Sequence, residues 1–257
     1  MDIVVIILIL ILILILILTL ILNIKNNNIK YYVIHMKNSD NKKYNNIIKN
    51  KHILKQNINI YDAIIGKNID INNLSTIDSN IKFDFNYTYI GEVGCYLSHM
   101  LLIKSLINSN SKYTVIFEDD FKILNDNLHD KINKIISNLN NNFDMIYLGN
   151  LNNNYDKIVI DNIHTIDKLN NLWGTHAYII NNKNAQKIYK SLLNIDNAID
   201  IKLKNNINND ILKVYVIYPI LVDQNTSLLE SSIRPIAYPG VYEKFSGYYN
   251  EYKVTEK

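Results

Sequence analysis

The sequence predicts an α/β fold with a mostly parallel central sheet, preceded by one transmembrane helix. Apolar runs of strand length alternate with segments of helical period. One of these runs, within YTVIFEDDFKIL, stops abruptly on three adjacent acids. The first residues form a long apolar stretch with no charged side chain between positions 3 and 22. These three features define the expected architecture.

The apolar stretch at residues 3–22 has about the length that a helix needs to cross a ~30 Å hydrocarbon core. No Lys or Arg precedes it and no small-residue cleavage site follows it, which argues against a cleaved signal peptide. We therefore expect a single-pass membrane anchor in residues 1–24 and one domain in residues 25–257.

The side of the membrane on which this domain lies stays open. Lys25 and Lys30 follow the apolar stretch, and the positive-inside rule would then keep the domain cytosolic. N-glycosylation sequons at Asn73, Asn86 and Asn225 would permit a lumenal domain, although such sequons arise by chance in an asparagine-rich chain.

The composition excludes some classes of protein. A hydrophobic content of 48% supports a packed core, so the chain is not a disordered tail. The formal charge of +3 is too small and too evenly spread to indicate a nucleic-acid surface. Cys95 is the only cysteine, so the chain forms no internal disulfide.

Strands and helices alternate along the domain as in an α/β layer. We expect strands at residues 30–36, 58–65, 113–118, 143–149, 176–180 and 214–219. We expect helices at residues 43–54, 91–110, 128–139 and 183–193, with a short one at 196–204. The helix at 91–110 is the clearest amphipathic segment. Residues 67–88 should form a loop, residues 150–171 a loop or hairpin, and turn residues mark the tail after Ser232.

Glu118, Asp119 and Asp120 end the most apolar strand. Unpaired carboxylates cost several kcal/mol or more to bury, so they should lie at the rim of the sheet, where open α/β folds bind ligands. Side-chain alternation directs Glu118 and Asp120 to the same side. Two converging carboxylates suit Mg²⁺ or Mn²⁺, especially an ion shared with a diphosphate. A solvated acidic turn is the simpler alternative.

Two glycine-containing motifs are candidate ligand-binding segments. GEVGCYLSH, at residues 91–99, begins a helix, where its glycines would let backbone N–H groups and Glu92 approach a nucleotide. WGTHAYII, at residues 173–180, places Gly174 next to a tryptophan before a strand, where a loop would contact a sugar or an acceptor. The simpler alternatives are a turn at a helix start, a core tryptophan and a structural histidine at His99.

Asp200 is the candidate general base. It lies near the start of the short predicted helix, where a carboxylate is equally suited to stabilise the helix N-terminus. Asp144 and Asp223 are lesser candidates for the same role.

The order of these motifs resembles glycosyltransferase family 25, which includes lipopolysaccharide β-galactosyl- and glucosyltransferases and collagen galactosyltransferases. A VIHM strand leads to GEVGCYLSH, VIFEDD, DMIYLG and GTHAYII, with an aspartate downstream. The resemblance spans about residues 31–233. It implies a GT-A type fold, a UDP-sugar donor, a Mn²⁺ ion, inversion at the anomeric carbon and a glycan, lipid-linked or protein acceptor.

The resemblance also implies roles for individual residues. Glu118, Asp119 and Asp120 match the family's metal and diphosphate motif, and Asp200 matches its Pro-x-Asp aspartate. Its signature helix is matched by Gly91, Glu92, Gly94, Ser98 and His99, and its donor-sugar loop by Gly174, Thr175, His176 and Ala177.

Two strands depart from the family pattern. The first has His35 and Met36 where Asn and Leu are usual, and the second ends in AIIG where an Ala-Val-Asp-Gly pattern is usual. Two other functions are alternatives to sugar transfer. One is a non-catalytic, membrane-tethered binding module. The other is a metal-dependent phosphoryl transferase or nuclease, which would need more dispersed carboxylates for two metals.

Overall fold

The computed structural model describes residues 5, 7–15, 28–37, 41–84, 90–151, 157–165 and 172–228. Residues 7–15 are helical, but no helix within these ranges is long and apolar enough to cross a membrane. The anchor expected at residues 3–22 stays a prediction from the sequence. Part of that segment, and the predicted tail after Ser232, lie outside the described residues.

Strands and helices alternate along the described chain. The strands are β1 (Ile29–His35), β2 (Ile58–Asp62), β3 (Lys82–Phe83), β4 (Tyr113–Glu118), β5 (Phe121–Ile123), β6 (Met145–Tyr147), β7 (Ile158–Ile160), β8 (Ile163–Thr165), β9 (Ala177–Asn181), β10 (Asn194–Ile195), β11 (Val214–Ile217) and β12 (Val222–Gln224). The helices are α1 (Asn41–Leu54), α2 (Ile90–Leu106), α3 (Leu128–Asn138), α4 (Ala185–Ser191) and α5 (Ile199–Asn208).

The central sheet has eight strands in the order β2-β1-β4-β9-β6-β11-β8-β7. Strand β1 is parallel to β2 and β4, and β6 is parallel to β11. Strand β9 runs antiparallel between β4 and β6, and β8 runs antiparallel to β11 and β7. The predicted α/β fold is confirmed, but the sheet is mixed. Because β9 points the opposite way, its amino end meets the carboxyl end of β4.

Helices cover both faces of this sheet. Alternate strand residues belong to two separate buried clusters, as the two-residue period of a strand requires. Helices α2, α4 and α5 contribute to one cluster, and α1 and α3 to the other. The central strands are therefore buried on both sides, which explains their continuous apolar sequence.

Helix α2 is more deeply buried than the amphipathic helix that the sequence predicted. It is buried around most of its circumference, because it packs between the sheet and helices α4 and α5. Its periodic apolar residues alone do not distinguish one buried face from nearly complete burial. The buried polar residues of α2, including Ser98 and His99, therefore lie inside the protein.

The loop predictions were partly wrong. Residues 67–88 contain a short 3-10 turn (Gly66–Asn68), a longer one (Ile71–Thr76) and strand β3. Residues 150–171 contain the β7–β8 hairpin, which confirms the hairpin alternative within the described part of that segment. Strands β5, β10 and β12 were missed because each has only two or three residues.

Candidate functional site

The three acids lie at the edge of the sheet where β1, β4 and β9 meet. Glu118 pairs in register with Ile34, the penultimate residue of β1. Its backbone N–H donates to the carbonyl oxygen of His176, at 3.0 Å, just before β9 begins. The end of β4 and the loop of Gly174, Thr175 and His176 that precedes β9 (the GTH loop) therefore converge. The acids lie where β4 ends, as the sequence predicted.

Both oxygens of Asp119 have a side-chain partner. Lys43 Nζ of α1 lies 3.0 Å from Oδ1, and His35 Nδ1 lies 2.9 Å from Oδ2. Asn46 of α1 also donates to the Asp119 carbonyl oxygen, at 3.0 Å. The side chain is almost fully buried, so this carboxylate anchors the turn to α1 and β1.

Glu118 faces away from Asp119, towards α2 and the start of β9. Thr175 Oγ1 donates to its Oε1 at 2.5 Å, and His99 Nε2 lies 3.3 Å from the same oxygen without the alignment of a hydrogen bond. Burial by itself would raise the pKa of Glu118, but the contacts with His99 and Thr175 outweigh burial and lower that pKa to about 2. Glu118 is therefore ionised at neutral pH.

Asp120 has one oxygen bound and one oxygen without a partner. Gln224 Nε2 of β12 donates to its Oδ2 at 2.7 Å. Its Oδ1 is buried and has no hydrogen-bond partner among the described residues. Burial, followed by the negative charge of Glu118, raises the pKa of Asp120 to about 7. The two acids therefore repel each other in a buried setting, which a cation between them would relieve.

The signature helix contributes more to packing than the sequence predicted. A Cβ on Gly94 would lie 2.6 Å from the Ile64 carbonyl oxygen, so only glycine permits this approach. Ser98 Oγ accepts a hydrogen bond from Ile64 N–H at 2.8 Å and donates to the Gly94 carbonyl oxygen. Gly91 and Glu92 lie in the first turn of α2. This helix is thus fixed against the segment that follows β2.

The GTH loop lies directly over the acids. Gly174 has φ +84°, a left-handed conformation that glycine adopts without strain. His176 is buried next to Val222, and burial lowers the pKa of its imidazole. Trp173 is 38% exposed, and Lys204 Nζ lies 5.5 Å from its ring centroid. The tryptophan is therefore a surface residue beside the site rather than a core residue.

Asp200 lies in the first turn of α5, and its Oδ1 accepts from the Ile201 N–H at 2.8 Å. Burial first, and then the charges of Asp200 and Glu118, raises the pKa of Tyr147, so both acids act on the same tyrosine. Asp200 and Glu118 are thus near the same tyrosine. Asp223 of β12 is near His176, on which its charge acts.

Asp144 does not belong to this site. It precedes β6 at the opposite end of the sheet, where it binds Lys187 Nζ at 2.5 Å and the Lys213 N–H at 2.7 Å. Its role is structural, so the sequence interpretation of Asp144 as a candidate base was wrong.

Several residues of the site were not identified from the sequence. Lys43, Asn46 and Gln224 hold the acidic turn, although each is distant from it along the chain. Tyr178 positions His99, with its hydroxyl 2.7 Å from His99 Nδ1. No local sequence signal marks such contacts, which depend on the pairing of strands far apart in the sequence.

The residues present fit a divalent cation. Glu118 is ionised, and the buried Asp120 Oδ1 lacks a partner, so two carboxylate oxygens are available as hard ligands. Asp119 is already paired on both oxygens, so Glu118 and Asp120 are better placed as ligands.

The three acids follow β4, which is parallel to β1 in an α/β sheet, and open α/β folds bind ligands outside such strand ends. Residues 28–203 match the family model of glycosyltransferase family 25 (LPS biosynthesis protein). Since the match covers more than half of the chain, the protein belongs to this family and is a glycosyltransferase. The resemblance found in the sequence is confirmed. Comparison with curated proteins gives no match.

Proposed function

We propose that this protein transfers a hexose, galactose or glucose, from a UDP-sugar to a hydroxyl group of a glycan, lipid-linked glycan or protein acceptor, with inversion. The observation that carries the proposal is the concentration of carboxylates at one sheet edge. Glu92, Glu118, Asp120 and Asp200 all act on the thiol of Cys95, whose pKa is raised first by burial and then by these charges. Such a site would repel a diphosphate unless a cation were bound between them.

Glu118 and Asp120 would hold this cation, Mn²⁺ or another divalent ion. When bound, the ion supplies the positive charge that neutralises the diphosphate leaving group. Lys43 and His35 do not compete with it, because both are paired with Asp119. The GTH loop, fixed by the hydrogen bond from Thr175 to Glu118, would contact the donor sugar.

Asp200 would accept the proton from the acceptor hydroxyl. Its carboxylate is only partly buried, and one oxygen is bound by Ile201 N–H. It is near enough to the acidic turn to act on Tyr147 together with Glu118. Trp173, exposed and in contact with Lys204 one turn after Asp200, offers an aromatic surface on which an acceptor sugar would stack.

The proposal is tested by donor hydrolysis and transfer with a panel of UDP-sugars, in Mn²⁺ and in chelator. We expect release of UDP that depends on the metal and prefers one hexose. Binding of a UDP-sugar without turnover would instead identify a non-catalytic binding module. Hydrolysis of phosphodiesters with no release of UDP would identify a phosphoryl transferase or nuclease.

A membrane tether through residues 3–22 is part of the proposal and rests on the sequence alone. Deletion of residues 1–24 is expected to leave a soluble, folded domain, because the residues that follow are polar and asparagine-rich. Aggregation of the truncated chain, with an active full chain in detergent, would show that the segment belongs to the fold.

A further inference from the structure

Helix α2 carries a cysteine and a histidine that both face Glu118. Cys95 and His99 are four residues apart, so they lie on the same side of the helix. The sulfur of Cys95, a ring nitrogen of His99 and a carboxylate oxygen of Glu118 all lie within 4.8 Å of one another. Cys95 has no cysteine to pair with, and the proposed sugar transfer makes no use of it.

His99 points an unsatisfied nitrogen into this group. The residue is 1% exposed, and its Nε2 has no hydrogen-bond partner among the described residues, although Glu118 Oε1 is 3.3 Å away. A buried polar atom without a partner is costly, and a metal ion would satisfy it.

Two of the three side chains are already oriented by other residues. The Tyr178 hydroxyl lies 2.7 Å from His99 Nδ1, which leaves Nε2 as the ligand atom. Thr175 Oγ1 donates to Glu118 Oε1 at 2.5 Å. Metal-binding histidines and carboxylates in proteins are commonly fixed by such outer hydrogen bonds.

The charges around Cys95 favour a cation. Glu118 offers its carboxylate within 4.8 Å of the sulfur, and this negative charge attracts a divalent ion. Binding would exchange the thiol proton for the metal, so that the thiol and M²⁺ give a metal thiolate and a released proton.

We propose that Cys95, His99 and Glu118 bind a borderline transition-metal ion such as Zn²⁺ or Co²⁺, with a fourth position open to water. Sulfur, nitrogen and oxygen ligands together select such ions, whereas an all-oxygen set suits Mn²⁺ or Mg²⁺. Tetrahedral Zn²⁺ holds ligand atoms roughly 3.5 Å apart, given bond lengths of about 2.0–2.3 Å. The ligand atoms of the three side chains, which lie within 4.8 Å of one another, would therefore move closer together by about 1 Å when the ion binds.

The site shares Glu118 with the proposed Mn²⁺ site. An ion held by Cys95 and His99 would withdraw that carboxylate from Mn²⁺, so Zn²⁺ should inhibit sugar transfer. The metal-binding proposal itself does not depend on sugar transfer, because it concerns the binding of an ion alone.

Cobalt titration of the full-length, chelator-treated protein tests the site. We expect a thiolate-to-cobalt charge-transfer band in the near ultraviolet, the visible bands of four-coordinate Co²⁺, and proton release. Cys95 is the only cysteine, so a thiolate band identifies it. Cys95→Ser should lose the band, and the matched Asp120→Asn variant should keep it. No band in the wild type, or the same band in Cys95→Ser, would overturn the proposal.

X-ray absorption of the Zn²⁺-loaded wild type provides a test that needs no variant. We expect one sulfur at about 2.3 Å together with nitrogen and oxygen at about 2.0–2.2 Å. A shell of nitrogen and oxygen alone would refute thiolate ligation. A thiolate-bound ion in a chain that releases no UDP would uphold this site while refuting the proposed sugar transfer, so the two failures are distinguishable.

Discussion

Asp119 and Asp120 are adjacent in the sequence but have opposite surroundings. Asp119 is bound by Lys43 and His35, so its charge is neutralised by the fold itself. Asp120 has one buried oxygen without a partner and lies next to the charge of Glu118. A carboxylate with both oxygens paired stabilises the turn. A carboxylate with one unpaired oxygen is available to a ligand. We therefore propose that the turn gives Asp119 a structural role and Asp120 a ligand-binding role.

Replacement of Asp120 should have the largest effect on activity. Asp120→Ala or Asp120→Asn should abolish sugar transfer, because the oxygen that would hold the cation is lost. Folding should be nearly intact, since Gln224 is the one side-chain hydrogen-bond partner of Asp120 among the described residues. Turnover in Mn²⁺ and the thermal unfolding temperature, measured on the same sample, check this. Wild-type turnover of the variant in chelator would rule out the metal assignment.

Replacement of Asp200 should reduce activity less completely. Asp200→Asn preserves size and hydrogen bonding but removes the proton acceptor, so we expect a loss of roughly 10²–10⁴-fold in transfer. Donor affinity should be largely kept. Measurement of UDP-sugar binding and turnover decides this. If turnover is unchanged and stability falls by about 1 kcal/mol or less, Asp200 merely stabilises the start of α5, and Asp223 becomes the next candidate.

Replacement of Lys43 tests the proposed structural role of Asp119. Lys43→Met would leave Asp119 with His35 alone in a nearly buried position, which should lower the free energy of unfolding by about 3 kcal/mol. Lys37→Met is the matched control, because its partner Asp62 is exposed and the pair contributes little. Urea unfolding of both variants measures the difference. Equal midpoints would contradict an anchoring role for Asp119.

The raised pKa of Asp120 predicts an effect of pH on stability. In the metal-free protein, folding raises this pKa from 3.8 to about 7. Between these values the folded state retains a proton that the unfolded state has lost, so the contribution of Asp120 to stability falls as pH rises. Asp120→Asn should remove this contribution. Urea midpoints of both chelator-treated proteins at several pH values should converge near pH 4 and separate towards pH 7; parallel curves would contradict the shift.

The position of the acidic turn could be predicted from the sequence, but its partners could not. An apolar strand that ends in carboxylates has to place them at the sheet rim, and this depends only on local residues. The contacts of Glu118 with Thr175 and His99 depend on β9 running antiparallel beside β4, and the pairing of Asp119 depends on α1. No local pattern encodes such long-range pairing.

The helix at residues 90–106 likewise shows that a local sequence pattern does not specify packing in the core. Its apolar period predicted a helix, and the helix is present. Its nearly complete burial follows from packing against α4 and α5, which a single segment does not specify. The resemblance matched Ser98 to the family's signature helix, and in the structure its side chain contacts Ile64 and Gly94.

The division of roles within the acidic turn is the central claim, and Mn²⁺ binding tests it most directly. Electron paramagnetic resonance titration of free Mn²⁺ should show one bound ion in the wild type, retained binding in folded Asp119→Asn, and a loss of binding in Asp120→Asn. Retained binding by Asp120→Asn, with loss in a folded Asp119→Asn, would contradict it.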